Sequence, residues 1–320
     1  MNGKIELVHF QLTKNCNLRC WFCGQWGKKG FFADASGHEM TFSDWENVVA
    51  QLCEYRKESG STPHIMLWGG EPLVYDHFKE IVLLLRKNDF PLGLVTNGTN
   101  IDKYAEILKK EFRHIYVSID GDKDIHDSIR GKGVFEKTAK NLDLLRGTKA
   151  TISIMTVLTE ENLSALETTV NALLNLPCDE VILQDMIALT KEEIEGYKQG
   201  MNSIGVEANY IDSWYMQSIP RYDKEKITEF CKRYGGRLKY LPHQITGVCQ
   251  SAWKHAHIAW NGNVLYCTDF YDFSAGNVKE ERLLDIFRNE KTTKYRKLIE
   301  QNGCPTCNHC SWRLSETFYL

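Results

Sequence analysis

The sequence predicts an α/β fold: an open, partial barrel of six strand–helix units, followed by a small, cysteine-rich α+β segment. Six apolar runs rich in β-branched residues recur along the first 185 residues, with helix-like stretches between them. Strands that alternate with helices form parallel sheets with right-handed crossovers, and six units suit an open barrel better than a closed barrel of eight. From about residue 245 the composition changes, and five of the eleven cysteines lie in that last part.

The predicted strands are the apolar runs themselves: Ile5–Leu12, His64–Trp68, Leu92–Thr96, His114–Ile119, Thr151–Val157 and Glu180–Asp185. A helix is predicted after Ser43, which forms a capping box with Glu46 ahead of apolar residues that share one side. The other helical stretches follow the later strands: Asp76–Asn88, Ile101–Glu111, Phe135–Leu145 and Glu160–Leu174. These elements make up the predicted barrel.

Two further regions follow the barrel. Asp223–Tyr234 is predicted as a helix, and Arg237–Leu241 as a further strand. The last region carries short elements, namely strands at His257–Trp260 and Val264–Cys267 and a helix near Arg282–Arg288. We therefore expect a barrel domain at residues 1–205, a connecting region at residues 206–244 and a cysteine-rich domain at residues 245–320. Such a small domain has little core of its own, and a metal site would supply the missing stability.

The composition is that of a soluble globular chain and excludes several classes of protein. Of the 320 residues, 42% are apolar and 25% are charged, and the net charge of −3 argues against a surface that binds nucleic acid. No stretch approaches the roughly 18 consecutive apolar residues of a membrane span. The start, Met1–Glu6, lacks the apolar core of a signal peptide. We expect a cytoplasmic protein with neither a nucleic-acid nor a membrane partner.

Three cysteines, Cys16, Cys20 and Cys23, lie within eight residues directly after the first predicted strand. Clustered thiols in a cytosolic chain more often bind metal than form disulfides. A closed structural site uses four ligands, so three thiolates leave one position of a metal centre open for chemistry. In an iron–sulfur cube, that position is the uncovered iron. The alternatives are a zinc knuckle that takes a fourth ligand from elsewhere, and thiols packed in the core.

Glycine-rich and polar motifs follow the second, third and fourth predicted strands. They are Trp68-Gly69-Gly70-Glu71-Pro72, Thr96-Asn97-Gly98, Ser118-Ile119-Asp120-Gly121 and His126-Asp127-Ser128-Ile129-Arg130-Gly131. Ligands bind at the carboxyl ends of parallel strands, and paired glycines let the backbone approach a ligand closely. Each motif alone is also typical of a tight turn, a helix cap or an exposed charge.

Together, these motifs resemble those of the radical S-adenosylmethionine (SAM) superfamily. The C-x3-C-x2-C spacing, with Phe22 before the last cysteine, is similar to the cluster-binding signature, and residues 69–72 resemble the GGEP motif. The motifs at residues 118–121 and 126–131 resemble those of the branch that modifies peptides and small molecules. The resemblance covers roughly residues 5–185. It implies a partial, TIM-like barrel and an enzyme whose three cysteines hold a [4Fe–4S] cluster, with SAM chelated to the open iron.

The resemblance also implies which residues surround SAM. The backbone of Gly69, Gly70 and Glu71 would receive the methionine ammonium, and Arg130 would pair with the carboxylate. Ser118 and Asp120 would bind the carboxylate or the ribose hydroxyls. Phe22 would lie beside the adenine. A flavodoxin- or ferredoxin-type donor would reduce the cluster. Cleavage of SAM would then give a 5′-deoxyadenosyl radical that abstracts a hydrogen from the substrate.

The five C-terminal cysteines resemble the SPASM/twitch extension of some radical SAM enzymes. Cys249 and Cys267 stand in a C-x12-G-x4-C pattern, and Cys304, Cys307 and Cys310 form a C-x2-C-x2-C run. A full SPASM domain has seven cysteines, so the shorter twitch form with one auxiliary [4Fe–4S] cluster is implied. The favoured ligands are Cys249, Cys267, Cys307 and Cys310, with Cys304 either as the spare or in place of one of them. A structural zinc ribbon is the alternative, since two cysteine pairs are typical of that site as well.

The expected activity is oxidation or cross-linking of an unactivated carbon by hydrogen abstraction. The auxiliary cluster would accept an electron from the substrate radical. Asp269 or Asp272 would accept the proton, unless both are ordinary loop carboxylates. The favoured substrate is a peptide, and a small polyol or aminosugar is the alternative. A non-enzymatic iron–sulfur or zinc scaffold is the alternative of another class, although a scaffold needs no nucleoside pocket.

An aromatic segment at residues 210–216 is predicted either to face the substrate cavity or to form an ordinary core or lid helix. His255 and His257 are candidate ligands by residue type. We interpret them as packed or exposed strand histidines, because that is the more frequent role of a histidine in a strand.

Overall fold

One sheet of ten strands organises the described residues of the computed structural model, which are 4–27, 30–32, 37–217, 219–243, 248–301 and 303–309. The strands are β1 (Leu7–Gln11), β2 (His64–Trp68), β3 (Leu92–Thr96), β4 (His114–Ser118), β5 (Thr151–Leu158), β6 (Glu180–Asp185), β7 (Leu238–Leu241), β8 (His255–Ile258), β9 (Asn263–Leu265) and β10 (Gly276–Asn277). Their order across the sheet is β10-β9-β8-β1-β2-β3-β4-β5-β6-β7.

Strands β1 to β7 are parallel to their neighbours and follow chain order. All six predicted barrel strands form, with bounds that differ from the expected ones by at most two residues, and the further strand predicted near residue 237 is β7. The sheet is open, because β7 and β10 lie at opposite edges. The predicted α/β class with a partial barrel is confirmed. The predicted motifs therefore all lie at the edge of the sheet where the parallel strands have their carboxyl ends.

Helices connect the strands and cover the sheet. Within the described residues they are α1 (Phe42–Ser59), α2 (Phe78–Lys87), α3 (Ala105–Glu111), α4 (Lys123–Arg130), α5 (Val134–Asp143), α6 (Glu160–Ser164), α7 (Leu166–Leu174), α8 (Lys191–Ser203), α9 (Lys224–Lys232), α10 (Ser251–Lys254), α11 (Leu283–Arg288) and α12 (Glu290–Gln301). The apolar side of α1 shows how they pack. Trp45 is fully buried and stacks on Phe10 of β1 with ring centroids 4.6 Å apart.

The start of α1 differs from the prediction. The side chain of Thr41 accepts a hydrogen bond from the backbone N–H of Asp44 at 3.2 Å, and the Asp44 carboxylate accepts one from the Thr41 N–H at 2.8 Å. The capping box is therefore Thr41–Asp44, and the box expected at Ser43 and Glu46 is wrong. Thr41 has the extended backbone of an N-cap residue, whereas Ser43 is already inside the helix.

The C-terminal region continues the sheet of the barrel. Strand β8 pairs in parallel with β1, with His257 in register with His9, and β9 and β10 extend the edge in antiparallel fashion. Helix α11 lies against α1, where the Leu283 N–H donates to the Gln51 side chain at 2.7 Å. Strand β1 is thus hydrogen-bonded on both sides, by the barrel and by the C-terminal region. Within the described parts of the chain, the helices lack the length or the apolar composition that a bilayer crossing requires.

Three histidines are buried where β1 and β8 meet. His9 and His255 lie in hydrogen-bond contact, Nδ1 to Nε2, at 2.7 Å, and the ring of Trp68 is 5.6 Å from His9 and 5.1 Å from His257. Burial lowers the pKa of His9 and His257 well below 6.5 and lowers the pKa of His255 to about 4. The interpretation of His255 and His257 as packed strand histidines agrees with this position. All three are therefore neutral at pH 7 in the folded chain.

These histidines predict that the fold is sensitive to acid. The unfolded chain binds protons near pH 6.5 and the folded His9 does not, so stability is lost as the pH falls below about 6.5. Replacing His9→Gln removes one such group and should reduce the pH slope of the unfolding free energy by up to about 1.4 kcal/mol per pH unit. Denaturant unfolding at about pH 7.5 and about pH 5.5 measures this slope. The exposed His77→Gln is the matched control. An unchanged slope in His9→Gln would contradict the assignment.

Candidate active site

A cavity opens where the carboxyl ends of β1 to β6 meet. Nine of the ten predicted barrel-site residues line it: Cys16, Cys20, Phe22, Cys23, Gly69, Gly70, Glu71, Ser118 and Arg130. The tenth, Asp120, is fully buried behind the wall. The structure thus brings together residues from the loop after β1, the turn after β2, the end of β4 and the end of α4, which is the site that the sequence motifs predict.

The three thiols occupy the loop after β1. The Leu18 N–H lies 3.4 Å from Cys16 Sγ and the Trp26 N–H lies 3.4 Å from Cys23 Sγ, so backbone donors point at two of the sulfurs. Burial raises the pKa of Cys16 to about 12 and that of Cys20 to about 11. Without a bound cation the Cys16 and Cys20 thiols stay protonated, and a metal centre would supply the positive charge that thiolates need there.

The paired glycines hold this loop in place. The Gly70 N–H donates to the Thr13 carbonyl at 3.0 Å, and the Glu71 N–H donates to the Asn15 carbonyl at 2.8 Å. A Cβ on Gly70 would lie 2.1 Å from the Asn15 oxygen, and a Cβ on Gly69, whose φ is +148°, would lie 2.6 Å from the Thr13 oxygen. Only glycine permits this approach. The two glycines therefore hold the cysteine loop in place directly. The sequence analysis predicted only that they contact a ligand.

The Glu71 side chain ties the same turn to β3. Its carboxylate accepts hydrogen bonds from Thr96 Oγ1 at 2.6 Å, from the Asn97 N–H at 2.7 Å and from the Leu73 N–H at 3.1 Å. Burial raises the pKa of Glu71 to about 7, although these donors act in the opposite direction. A cation brought into the cavity beside Glu71 would favour the ionised form.

A buried ion pair places Arg130 in the cavity wall beside the cysteine loop. Arg130 Nε lies 2.6 Å from Asp120 Oδ2, and both side chains are nearly inaccessible to solvent. Burial alone lowers the pKa of Arg130, but the charge of Asp120 raises it above its usual value. Asp120 Oδ1 also accepts from the Val157 N–H at 3.1 Å. Arg130 Nη1 is 3.8 Å from Cys20 Sγ. Asp120 therefore holds Arg130 against the cysteine loop, and its own oxygens face the protein.

A second, more enclosed cavity lies in the C-terminal region. Four thiols line it, those of Cys249, Cys267, Cys304 and Cys307. Burial raises the pKa of Cys267, and the Cys304 thiol donates to Cys307 and so lowers the pKa of Cys307 to about 7. Cys310 lies outside the described residues. Cys304, the expected spare, thus takes a place beside three of the expected ligands.

Both groups of thiols fit iron–sulfur clusters better than single metal ions. Among the described residues, no three Cys, His, Asp or Glu side chains are placed to hold one metal ion. A zinc site needs all its ligands around one atom. In a four-iron cluster each thiolate binds a different iron, so the sulfurs stand further apart. Three thiols around the first cavity and four around the second match an open and a fully ligated cluster.

The two candidate bases differ in position. Asp269 lines the first cavity, whereas the Asp272 carboxylate accepts from the backbone N–H groups of Asn209 and Tyr210 at 2.6 and 2.7 Å and lies outside the cavity wall. Asp272 therefore ties two loops together, and of the two only Asp269 faces the reaction space. Thr268, between Cys267 and Asp269, lines both cavities, so the two spaces adjoin at this residue.

The sequence prediction missed a carboxylate at the end of β6. Asp185 lines the first cavity and accepts hydrogen bonds from Tyr222 Oη and Tyr240 Oη at 2.5 Å each. Lys224 Nζ lies 2.8 Å from it, and the His243 N–H donates to it at 2.8 Å. Asp185 is the last residue of a predicted strand, so its place at the strand end was a usable signal. Its partners come from distant segments, and no sequence motif marks them.

Comparison with known proteins assigns the class. The family model of the radical SAM superfamily matches residues 10–173, just over half of the chain, and the model of the SPASM iron–sulfur cluster-binding domain matches residues 249–311. The chain belongs to the radical SAM superfamily. It is an enzyme of the SAM-cleaving type with a [4Fe–4S] cluster and an auxiliary cluster as cofactors, so the alternatives of a zinc protein and a non-enzymatic scaffold are set aside.

Particular relatives cover nearly the whole chain. The tungsten-containing aldehyde ferredoxin oxidoreductase cofactor-modifying protein of Pyrococcus furiosus is 26% identical over 97% of this chain and 88% of its own length. The serine-type anaerobic sulfatase-maturating enzyme of Bacteroides thetaiotaomicron is 22% identical over 93% and 78%. Among solved structures, SuiB of Streptococcus suis bound to the precursor peptide SuiA superimposes with a TM-score of 0.65 and 16% identity, over 96% of this chain and 71% of SuiB. This last similarity concerns the fold.

The Gly70 contact predicts a specific loss of iron. In Gly70→Ala, the added Cβ would collide with the Asn15 carbonyl, which would displace the cysteine loop. We expect reconstituted protein to fall from about eight irons per chain to about four, because only the second cluster remains. Iron and sulfide analysis measures this. Gly147→Ala, where the added Cβ would meet nothing within 4 Å and which lies outside both cavities, is the control and should keep its iron. Full iron in Gly70→Ala would show that the loop does not depend on this approach.

The buried ion pair predicts a large effect from a small change. In Asp120→Asn, the Arg130 guanidinium stays buried without its partner, which costs about 3–5 kcal/mol. For a chain of this size the expected fall in melting temperature is roughly 5–10 °C. Asp143→Asn breaks the exposed pair with Arg146 and should leave the melting temperature nearly unchanged. Differential scanning calorimetry on both variants decides the matter. Equal, small shifts would mean that Asp120 does not support Arg130.

Proposed function

We propose that this chain is a peptide-modifying radical SAM enzyme in which Cys16, Cys20 and Cys23 hold the catalytic cluster. The observation that carries the proposal is that the three thiols, the glycine turn and Arg130 line one cavity. Bound SAM and the cluster supply a hydrogen-abstracting 5′-deoxyadenosyl radical once an electron arrives. A flavodoxin- or ferredoxin-type protein is the proposed donor. A cytoplasmic location is also proposed, because eleven cysteines need a reducing compartment.

The protein residues orient SAM and balance its charges. Arg130 is held by Asp120 beside Cys20, where its free guanidinium face suits a carboxylate. On the other side, the Gly69–Glu71 turn offers backbone groups and a buried carboxylate to the ammonium. Phe22 and Ser118 also line the cavity, where an adenine and a ribose would fit. The ammonium and the carboxylate of the methionine moiety share one carbon, and each would meet a complementary group of the cavity wall.

The second group of thiols suits an oxidative outcome. Cys249, Cys267 and Cys307, with Cys304 or Cys310 as the fourth ligand, would hold the auxiliary cluster, and Thr268 lines both their cavity and the reaction space. Asp269 faces the reaction space and would accept the proton that leaves with the substrate electron. An acceptor for the electron and a base for the proton then lie at the same edge of the cavity.

A peptide is the proposed substrate because of two relatives. SuiB was solved with a precursor peptide, and another relative is named as a sulfatase-maturating enzyme. A second candidate is a small molecule, since the relative from P. furiosus is named as a cofactor-modifying protein. A polyol or an aminosugar falls in that class. Both candidates use the same cavity, so only the substrate distinguishes them.

The proposal predicts cluster-dependent cleavage of SAM. Reconstituted protein, incubated anaerobically with SAM and dithionite, should form 5′-deoxyadenosine, and Cys16→Ala should reduce the yield to that of an enzyme-free blank. Cys53→Ala is the control, because the Cys53 thiol contacts Asn88 and lies outside both cavities. Liquid chromatography of the nucleoside products gives the readout. Cleavage that survives in Cys16→Ala would overturn the assignment of the cluster ligands. Candidate peptides and sugars are then ranked by how much they raise the yield.

A further inference from the structure

The described residues that line the second cavity include no aspartate, glutamate, lysine or arginine. Burial also keeps the one histidine of this lining, His255, neutral, because it lowers the pKa of that side chain to about 4. A cluster held by four thiolates is anionic and gains a further negative charge on reduction, which a buried and uncharged space disfavours. Hydrogen bonds to the sulfur atoms are therefore the means by which the lining residues can raise its reduction potential.

Two hydroxyl groups of this lining are buried without a partner. Thr268 is 2% exposed and Thr306 is fully buried, and neither Oγ1 atom has a hydrogen-bond partner among the described residues. Thr268 directly follows Cys267, and Thr306 lies between Cys304 and Cys307. A buried hydroxyl that lacks a partner is costly, so we expect an acceptor for both in the protein with its cluster bound.

A third hydroxyl of the lining already lies beside a thiol. Ser251 Oγ is 3.1 Å from Cys249 Sγ, and either atom can be the donor while the thiol is protonated. A Cys249 thiolate that binds iron has no proton to give, so Ser251 must then be the donor. The cavity therefore contains one direct contact between a hydroxyl and a ligand sulfur, at the first residue of α10.

An unpartnered hydroxyl does not by itself mark a site. Thr169 in α7 is fully buried, and its Oγ1 also has no partner within the described parts of the chain. It lies outside both thiol cavities, however. Thr268 and Thr306 differ from Thr169 because both line the space that the four thiols share, where a cluster would bring several sulfur acceptors.

We propose that Ser251, Thr268 and Thr306 donate hydrogen bonds to sulfur atoms of the auxiliary cluster and thereby raise its reduction potential. The proposal rests on the proposed function, in which the substrate radical gives one electron to this cluster and one proton to a base. Hydrogen bonds to sulfur stabilise the negative charge that arrives with the electron, so they favour this transfer. The three residues are not ligands, and their replacement leaves the thiolates in place.

The test measures the auxiliary cluster in the full chain without the first cluster. A parent variant that carries Cys16→Ala, Cys20→Ala and Cys23→Ala should hold about four irons after anaerobic reconstitution, all in the second cavity. Redox titration followed by electron paramagnetic resonance then gives the midpoint potential of one cluster. Iron and sulfide analysis confirms that each further variant is fully loaded.

The hydroxyls are removed from this parent singly and together. Ser251→Ala, Thr268→Val and Thr306→Val should each lower the midpoint potential. Together they should reduce the ratio of reduced to oxidised cluster about tenfold at a fixed potential, which is about 59 mV for one electron. Thr306→Ser keeps a hydroxyl and should keep the potential of the parent. Thr169→Val is the matched control, because it removes an equally buried hydroxyl outside both cavities.

A second measurement detects the hydrogen bonds directly. After reconstitution in D2O the hydroxyl protons are deuterons, and pulsed electron paramagnetic resonance records deuterons close to the reduced cluster. The deuterium signal of the parent should weaken in Ser251→Ala and Thr306→Val. It should not change in Thr169→Val. This readout does not depend on the size of the shift in potential.

The proposal is overturned if the fully loaded triple variant keeps or exceeds the potential of the parent, or if its deuterium signal is unchanged. If the triple variant takes up less iron, the single variants decide, and at least two of them must lower the potential. Thr268 also lines the reaction cavity. A Thr268→Val variant with the potential and the deuterium signal of the parent would remove this residue from the proposal.

The outcomes also separate this proposal from the proposed function. The potential is measured without SAM and without a substrate, so it does not depend on which molecule is modified. A potential that falls in the hydroxyl variants, in a protein whose wild type forms no 5′-deoxyadenosine, supports the hydrogen bonds and contradicts the proposed function. Formation of 5′-deoxyadenosine by the wild type, with a potential that ignores all three hydroxyls, supports the function and overturns the hydrogen bonds.

Discussion

The backbone approach between the loop after β1 and the turn after β2 is the constraint on which the site depends. Two hydrogen bonds, from the N–H groups of Gly70 and Glu71, hold the loop, and no side chain fits at residues 69 and 70. Glu71 then extends the contact to β3 through Thr96 and Asn97. Three consecutive strand ends are thereby connected before any cofactor binds. Backbone hydrogen bonds therefore position the loop that carries the thiols.

The buried ion pair of Asp120 and Arg130 orients a side chain of the site and adds little to stability. A buried ion pair adds little net stability, because desolvation offsets the attraction between the charges. The pair of Asp120 and Arg130 is better understood as a device for orientation, since Asp120 also accepts from the backbone of β5 and so fixes where the guanidinium lies. Helix α4 carries Arg130 at its last residue. The backbone of β5 thus fixes the position of Asp120, and the end of α4 supplies the positive charge of Arg130.

Much of the barrel could be predicted because its strands are buried on both faces and read as continuous apolar runs, such as Leu92–Thr96. Helix α12 could not, since few of its twelve residues are apolar and its buried side chains include Thr292. The sequence analysis predicted the site residues that belong to local sequence motifs. It missed those that only tertiary contacts bring into the site. Asp185 accepts hydrogen bonds from Tyr222 and Tyr240, and no local sequence pattern predicts these contacts. The choice between Cys304 and Cys310 as a ligand likewise depends on spacing in three dimensions.

Contacts of the segment after β9 bring the two groups of thiols into the same region. Strand β9 is antiparallel to β8 and leads away from the carboxyl end of β1, and the chain then returns, so that Asp269 lines the first cavity. Tyr271 shows the result, since its pKa is raised by burial and also by the charges of Asp269, Cys267 and Cys23. Trp214 contacts both segments, at Gly24 and at the Asp269 carbonyl. Because Thr268 lines both cavities, a substrate held in the first cavity would lie beside the space proposed for the electron acceptor, and this proximity favours a two-electron oxidation.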